Sequence, residues 1–261
     1  MSGDEVMVLV ISGAAGGIYW LLWAGQAIGI TSLTVSRRQR WPLFVVPFLC
    51  LVPLLLVLTT LAAHEVRQSA GLIALFVAVW AISLAGVNVL AWCIGVSALA
   101  DGIERNNEAA LWALGGASVG TTLAVCGANV GEGPTIYTTL GPLVLAVASL
   151  GGLWVVFAVL TGNTRAITVE RDTASGIRLA GLLIAWGIIL GRAVAGDWKS
   201  TAATLRDFGA LGWPVLIFLA IAIVLEPVVQ PHMDRPTPSR TRTGWVPLLT
   251  YIGGAVLCLI R

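Results

Sequence analysis

An all-α bundle of about eight transmembrane helices is the fold class this sequence predicts, and three observations predict it. Hydrophobic residues make up 57% of the 261 positions and charged residues only 11%, with a mean hydropathy of +0.91. Soluble domains hold roughly 45–50% apolar and about 25% charged residues. The apolar residues also fall in runs near the ~20 residues that cross hydrocarbon, and the scarce charges gather in the short segments between those runs. A soluble enzyme, a disordered chain and a single domain on one anchor are excluded by this composition. A net charge of +2, scattered over short loops, offers nothing to nucleic acid.

The expected spans are 7–31, 42–63, 70–99, 108–130, 138–160, 174–195, 209–229 and 245–260. The acidic start MSGDEV lacks the basic region of a secretory signal, so the first run is expected to remain as a helix. Pro47 and Pro53 lie inside the second span, where each removes a backbone bond and favours a kink. In lipid the freed carbonyls must be covered by neighbouring helices. Pro142 and Pro214 fall near the starts of the fifth and seventh spans. The third span is long for one crossing, which predicts tilt or projection beyond the bilayer, and the last is short. Three units follow: a two-helix extension over 1–69, a core over 70–230, and a linker with a C-terminal helix over 231–261. The linker (QPHMDRPTPSRTRTG, 230–244) is rich in proline, basic and hydroxyl residues and reads as exposed chain.

Loops after odd-numbered spans hold ten basic residues (Arg37, Arg38, Arg40, Arg105, Arg165, Arg171, Arg178, Arg235, Arg240 and Arg242) against five on the other side. The positive-inside rule then places the odd loops in the cytoplasm and both termini outside. Trp41, Trp198, Trp213 and Trp245 lie near span ends, where an indole anchors at the headgroups. Trp20, Trp23, Trp80, Trp92 and Trp186 lie deeper, which fits helix packing and leaves a pigment or quinone contact as an alternative.

Two segments look alike. Ile103-Glu104-Arg105-Asn106-Asn107-Glu108-Ala109-Ala110 opens the fourth span with Gly115 inside it, and Val169-Glu170-Arg171-Asp172-Thr173-Ala174-Ser175-Gly176 opens the sixth with Gly181 inside it. An offset of 66 aligns Glu, Arg, Asn with Asp, and the glycine. Asn and Asp are good helix N-caps, and the small residues behind them let helices approach closely. An even number of spans separates the segments, so both helices start at one membrane face and run parallel. The stretches IERNNEAALWALGGASVGTTLAVCGANVGEG and VERDTASGIRLAGLLIAWGIILGRAVAGDW together resemble the duplicated segment of the YjfL-like family of small bacterial inner-membrane proteins. The resemblance covers roughly residues 72–228, with two spans added in front and one behind. The sequence departs from the family's Ile-x-x-Gly-Asn turn, with Arg105 and Arg171 at the glycine position and Asp172 at the second asparagine. The resemblance implies a duplicated helical architecture in the bacterial inner membrane, and partner proteins in a larger system. It implies no chemistry, because the family has no assigned activity.

The residues themselves argue against several chemistries. Of the two histidines, His64 ends the second span and His232 lies in the loop after the seventh, on opposite faces, which argues against a bis-His haem and leaves a single chlorophyll-type ligand at His64 as the alternative. Lys199, the single lysine, is in a loop and cannot hold retinal in mid-helix. Gly116-Ala117-Ser118-Val119-Gly120 spells a nucleophile elbow, but inside an apolar helix with no histidine nearby it reads as small residues for packing. Cys50, Cys93, Cys126 and Cys258 lie in separate apolar stretches and read as small hydrophobes rather than as a disulfide or metal set. G-x-x-x-G occurs at Gly13/Gly17, Gly25/Gly29, Gly116/Gly120, Gly127/Gly131 and Gly187/Gly191. These read as close-packing faces, assigned to no dimer interface.

All thirteen carboxylates map to loops or span ends, which argues against a proton-driven pump. The deep polar candidates are Asn88, Asn129 and Thr121, with Ser83 and Thr122 beside them. They read as interhelical hydrogen bonds or, alternatively, as the lining of a channel or transporter for a small polar solute. The candidates for docking a soluble partner or anionic headgroups are Glu104, Arg105, Asn106, Glu170, Arg171, Asp172 and Arg178. No residue pattern calls for a cofactor. The expectation is a non-enzymatic membrane subunit, with the lipid bilayer and other subunits or further copies of itself as partners.

Overall fold

The computed structural model describes residues 1–33, 41–231 and 239–260. His232, Arg37, Arg38, Arg40 and Arg235 of the sequence reading lie outside the described residues. The described chain is helical: α1 (Gly3–Leu33), α2 (Trp41–Thr60), α3 (His64–Gln68), α4 (Ala70–Cys93), α5 (Glu108–Ala128), α6 (Tyr137–Thr161), α7 (Asn163–Thr168), α8 (Thr173–Val194), α9 (Thr201–Gly212), α10 (Pro214–Val229) and α11 (Val246–Leu259). Two π-helical turns, Ala98–Glu104 and Arg240–Trp245, precede α5 and α11.

Local chemistry sets many of the boundaries. Ser69 caps α4 by accepting from the Leu72 N–H at 3.3 Å, Asn107 caps α5 through Ala109, and Asp172 caps α8 through Ala174 and Ser175. Pro214 and Pro247 open α10 and α11, where a missing N–H costs nothing. Gly162, at φ 64°, ends α6 in the left-handed region that glycine enters without strain.

Six helices (α1, α2, α4, α5, α6 and α8) are long and apolar enough to cross a membrane, and α9 with α10, bent by 40° between Gly212 and Pro214, makes a seventh crossing if the pair counts as one. Among the described residues six or seven helices thus meet this measure, where the sequence predicts about eight. The helix expected over 245–260 forms as α11, but its 14 residues reach only ~21 Å at 1.5 Å per residue, short of the ~30 Å hydrocarbon core. The long third span divides as well. α4 stops at Cys93, and Gly95, at φ 94°, turns the chain into the π-helical segment. α2 continues as one helix through both internal prolines.

At the centre, α5 and α8 pack face to face and run parallel. A side chain built on Gly116 would strike the Ala180 backbone, on Gly120 the Leu183 carbonyl, on Gly127 the Gly191 backbone, on Gly187 the Gly120 backbone, and on Gly176 the Ala109 backbone. The contacts climb both helices in the same direction, as the sequence reading expected of helices entering from one face. Backbone contact at this range is what G-x-x-x-G pairs achieve where lipid supplies no hydrophobic drive and packing must hold helices together. α8 is the innermost helix, with 83% of its span buried, and α11 lies against it where Gly181 meets Leu248.

Candidate functional site

The junctions that lead into α5 and α8 share one backbone design. The Arg105 N–H donates to the Ala100 carbonyl and Asn107 N–H to Asp101; 65 residues on, Glu170 N–H donates to Arg165 and Asp172 N–H to Ala166. Asn106 (φ 52°) and Arg171 (φ 55°) each take the left-handed conformation immediately before the capping residue. The geometry therefore repeats at 65 residues, one fewer than the offset given by matching Glu-Arg with Glu-Arg. The side chains that correspond are Asn107 with Asp172, as caps, and Asn106 with Arg171, as left-handed residues. The Asn107 carboxamide ties the junctions together by donating to the Ile167 carbonyl at 2.7 Å.

Glu104, Arg105, Glu170 and Arg171 are exposed along this edge. Arg105 pairs with the buried Asp101 at 3.0 Å, and Glu170 pairs with Arg165 at 3.7 Å. Asp172 is occupied as a cap and also accepts from the Ser175 hydroxyl at 2.7 Å. Arg178 corrects its assignment to a docking face: it is only 3% exposed and is held inside the helix packing. Its Nε donates to Glu226 Oε2 at 3.0 Å, Nη2 to Glu226 Oε1 at 2.7 Å and to Ser175 Oγ at 2.9 Å, and Nη1 to the Thr243 carbonyl at 2.6 Å. Glu226, also 3% exposed, accepts further from Asn163 Nδ2. The planar guanidinium suits this bidentate pairing, and removal of either partner would strand a buried charge. The pair clamps α8, α10 and the turn before α11 together, five residues or ~8 Å above the start of α8.

Sequence reasoning missed Glu226, which it placed at a span end with the other carboxylates. Its signal was a lone acid in the apolar run LAIAIVLEPVV. Asn163 carried no such signal.

The deep polar candidates separate. Asn129 caps the end of α5 and donates to the Val125 carbonyl at 2.8 Å. Thr121 is fully buried, and its hydroxyl finds no partner among the described residues. Thr122 accepts from the Trp80 indole at 2.9 Å, binding α4 to α5, and Ser83 donates to the Val79 carbonyl within α4. Asn88, half-buried, makes no hydrogen bond among the described residues and lines a small cavity between α1, α2, α4 and α5 together with Trp23 and Ser118. The deep tryptophans divide too. Trp20 donates to the Ala81 carbonyl at 2.9 Å, Trp186 is fully buried, and Trp92 is 68% exposed near the end of α4.

The small cavity, about 10 Å³, shares walls with two larger ones. It shares Val46, Leu111 and Gly115 with a groove of about 770 Å³ that runs from Asn106 and Glu108 down α5 to Val119 and Ile184. It shares Trp20, Trp23, Leu43 and Pro47 with an almost wholly apolar cleft of about 340 Å³, bounded by Phe44, Phe48 and Trp80. At the groove mouth, Glu108 pairs with Arg240 at 3.2 Å, and Trp112 meets Trp245 edge to face at 5.1 Å.

Fold and site together define a polytopic helical membrane protein built around a sealed parallel helix pair. No family model, no curated protein and no solved structure matches the chain.

Proposed function

We propose that the chain is a non-enzymatic integral membrane subunit of the bacterial inner membrane, with its N-terminus outside, and that it assembles with a second copy of itself through α1. It would be a distant, extended relative of the YjfL-like proteins. The observation that carries the reading is a face of α1, three glycines about one leucine, with no partner among the described residues. Gly13, Gly17, Leu21 and Gly25 follow one another at intervals of four, Leu21 is 75% exposed, and a side chain built on any of the three glycines would meet nothing within 4 Å. The same motif in α5 and α8 is filled by the facing backbone. A two-fold axis along the membrane normal would bring two α1 helices together in that parallel arrangement, with one patch serving both copies. Only 11% of the α1 span is buried within its own chain, which leaves the face available. The exposed charges of the junctions, Glu104, Arg105, Glu170 and Arg171, then form the cytoplasmic surface for other subunits. A channel for small polar solutes draws less support, because Asn88, Asn129 and Thr121 serve a cavity wall, a helix cap and a helix seam.

Light scattering of the protein in mild detergent tests the reading. The expected mass is two chains for the native sequence and one for Gly17→Leu. A native protein that elutes as a monomer, or a Gly17→Leu variant that stays dimeric, would overturn it.

A further inference from the structure

We propose that the cleft between α1, α2 and α4, with the waist that α5 helps to line, binds a neutral, ring-bearing lipid whose carbonyl oxygens accept hydrogen bonds, an amphiphile of the isoprenoid-quinone class. The site is independent of the α1 pairing face.

Three features specify the ligand. The first is a pair of donors without acceptors. Trp23 is 91% buried by its 9% exposure, lines both the 340 Å³ cleft and the narrow waist beside it, and its indole N–H has no acceptor among the described residues. Asn88 faces the same waist with its carboxamide unbonded among the described residues. A buried donor left unsatisfied is costly, so a ligand oxygen here gains more than it would in water. The waist, at about 10 Å³, has room for an atom-sized group such as a carbonyl oxygen and not for a ring.

The second feature is charge. Among the described residues, no Asp, Glu, Lys, Arg or His lines the cleft or the waist. A phosphate or carboxylate headgroup would enter without a counter-ion and an amine without a carboxylate, and burial of an unpaired charge is prohibitive. The ligand is therefore neutral and acts as an acceptor.

The third feature is shape. Trp20 and Trp23 meet edge to face at 5.7 Å between ring centroids, and Trp23 and Phe44 at 5.5 Å. With Trp80 they make an aromatic wall suited to a flat ring by offset or edge contacts. A volume of about 340 Å³ is at the small-molecule end of ligand sites. The outer rim is Phe48, 73% exposed on the membrane-facing side of α2, so entry is from the lipid and an isoprenoid tail remains in the bilayer.

The test is equilibrium binding of radiolabelled decylubiquinone to the full chain in lipid nanodiscs. Saturable binding of one quinone per chain is expected. Trp23→Phe keeps the ring and deletes the donor, and Asn88→Ala deletes the carboxamide. Each should weaken binding about fivefold, the worth of one hydrogen bond, while Trp92→Phe, outside the cleft, leaves it unchanged. If Trp23→Phe does not fold, Asn88→Ala carries the same test. Decylbenzene, with the ring and tail but no carbonyls, should compete poorly. Absence of saturable binding, equal competition by decylbenzene, or unchanged affinity in the donor variants would overturn the proposal, as would displacement of the quinone by phosphatidylglycerol at equal concentration.

Discussion

α8 and α1 are both apolar, glycine-bearing helices of membrane-crossing length, yet one is 83% buried and the other 11%. Their glycines have opposite surroundings. In α8 each of Gly176, Gly187 and Gly191 abuts another helix's backbone, whereas Gly13, Gly17 and Gly25 of α1 face open space. α8 also carries a polar clamp, Arg178 on Glu226, and α1 carries none of that kind. A small-residue motif in a membrane helix therefore specifies a capacity for close approach and no particular partner. Which helix fills it depends on the chain's own connectivity, or on a second chain.

Substitutions on the two sides should separate these cases. The largest effect is expected at the clamp. Glu226→Ala leaves Arg178 buried without its counter-ion and should cost about 3–5 kcal/mol, seen as loss of a monodisperse peak in detergent. Arg178→Met combined with Glu226→Leu should recover much of that loss, and failure to do so would mean the pair does more than neutralise itself. Next comes the seam. Gly187→Leu drives a side chain into the Gly120 backbone and should destabilise by about 3 kcal/mol or more, read as a lowered thermal midpoint. Asp172→Ala removes two cap bonds at the start of α8 and should cost about 1 kcal/mol in the same assay. Gly17→Leu on α1 should stay within about 0.5 kcal/mol of native stability. Its mark is a halved particle mass, and a large drop in its midpoint would show that α1 is packed after all.

Much of this contrast is legible in the sequence, and the failures have physical reasons. Helical class and the parallel entry of α5 and α8 follow from hydropathy and span parity, both local or countable. The junction motif is visible, but its register is not. Matching Glu104-Arg105 with Glu170-Arg171 aligns the letters, whereas the backbone aligns Asn106 with Arg171, since the left-handed conformation that asparagine tolerates well is imposed on an arginine in the second copy. Arg178 looks like a snorkelling cation until Glu226, 48 residues away, reaches it. No periodicity encodes a contact at that separation. Asn88 lines a cavity beside Trp23, but the sequence does not set Trp23 apart from the other deep tryptophans, because an indole without an acceptor looks the same in sequence as one with an acceptor.

The parallel course of α5 and α8 has an electrical consequence. Antiparallel neighbours cancel their peptide dipoles, but here both positive ends lie at the junction edge, where together they approach about one elementary charge. Asp172 at the N-cap of α8 and Glu108 in the first turn of α5 are carboxylates placed against those ends, and Arg192 stands in the last turn of α8 at the opposite end. In the orientation proposed above, the positive ends face the cytoplasm, the negative side of an energised membrane. The transmembrane potential is worth roughly 2.3 kcal/mol per charge per 100 mV. The central helix pair would therefore sit more firmly in an energised membrane than in a detergent micelle.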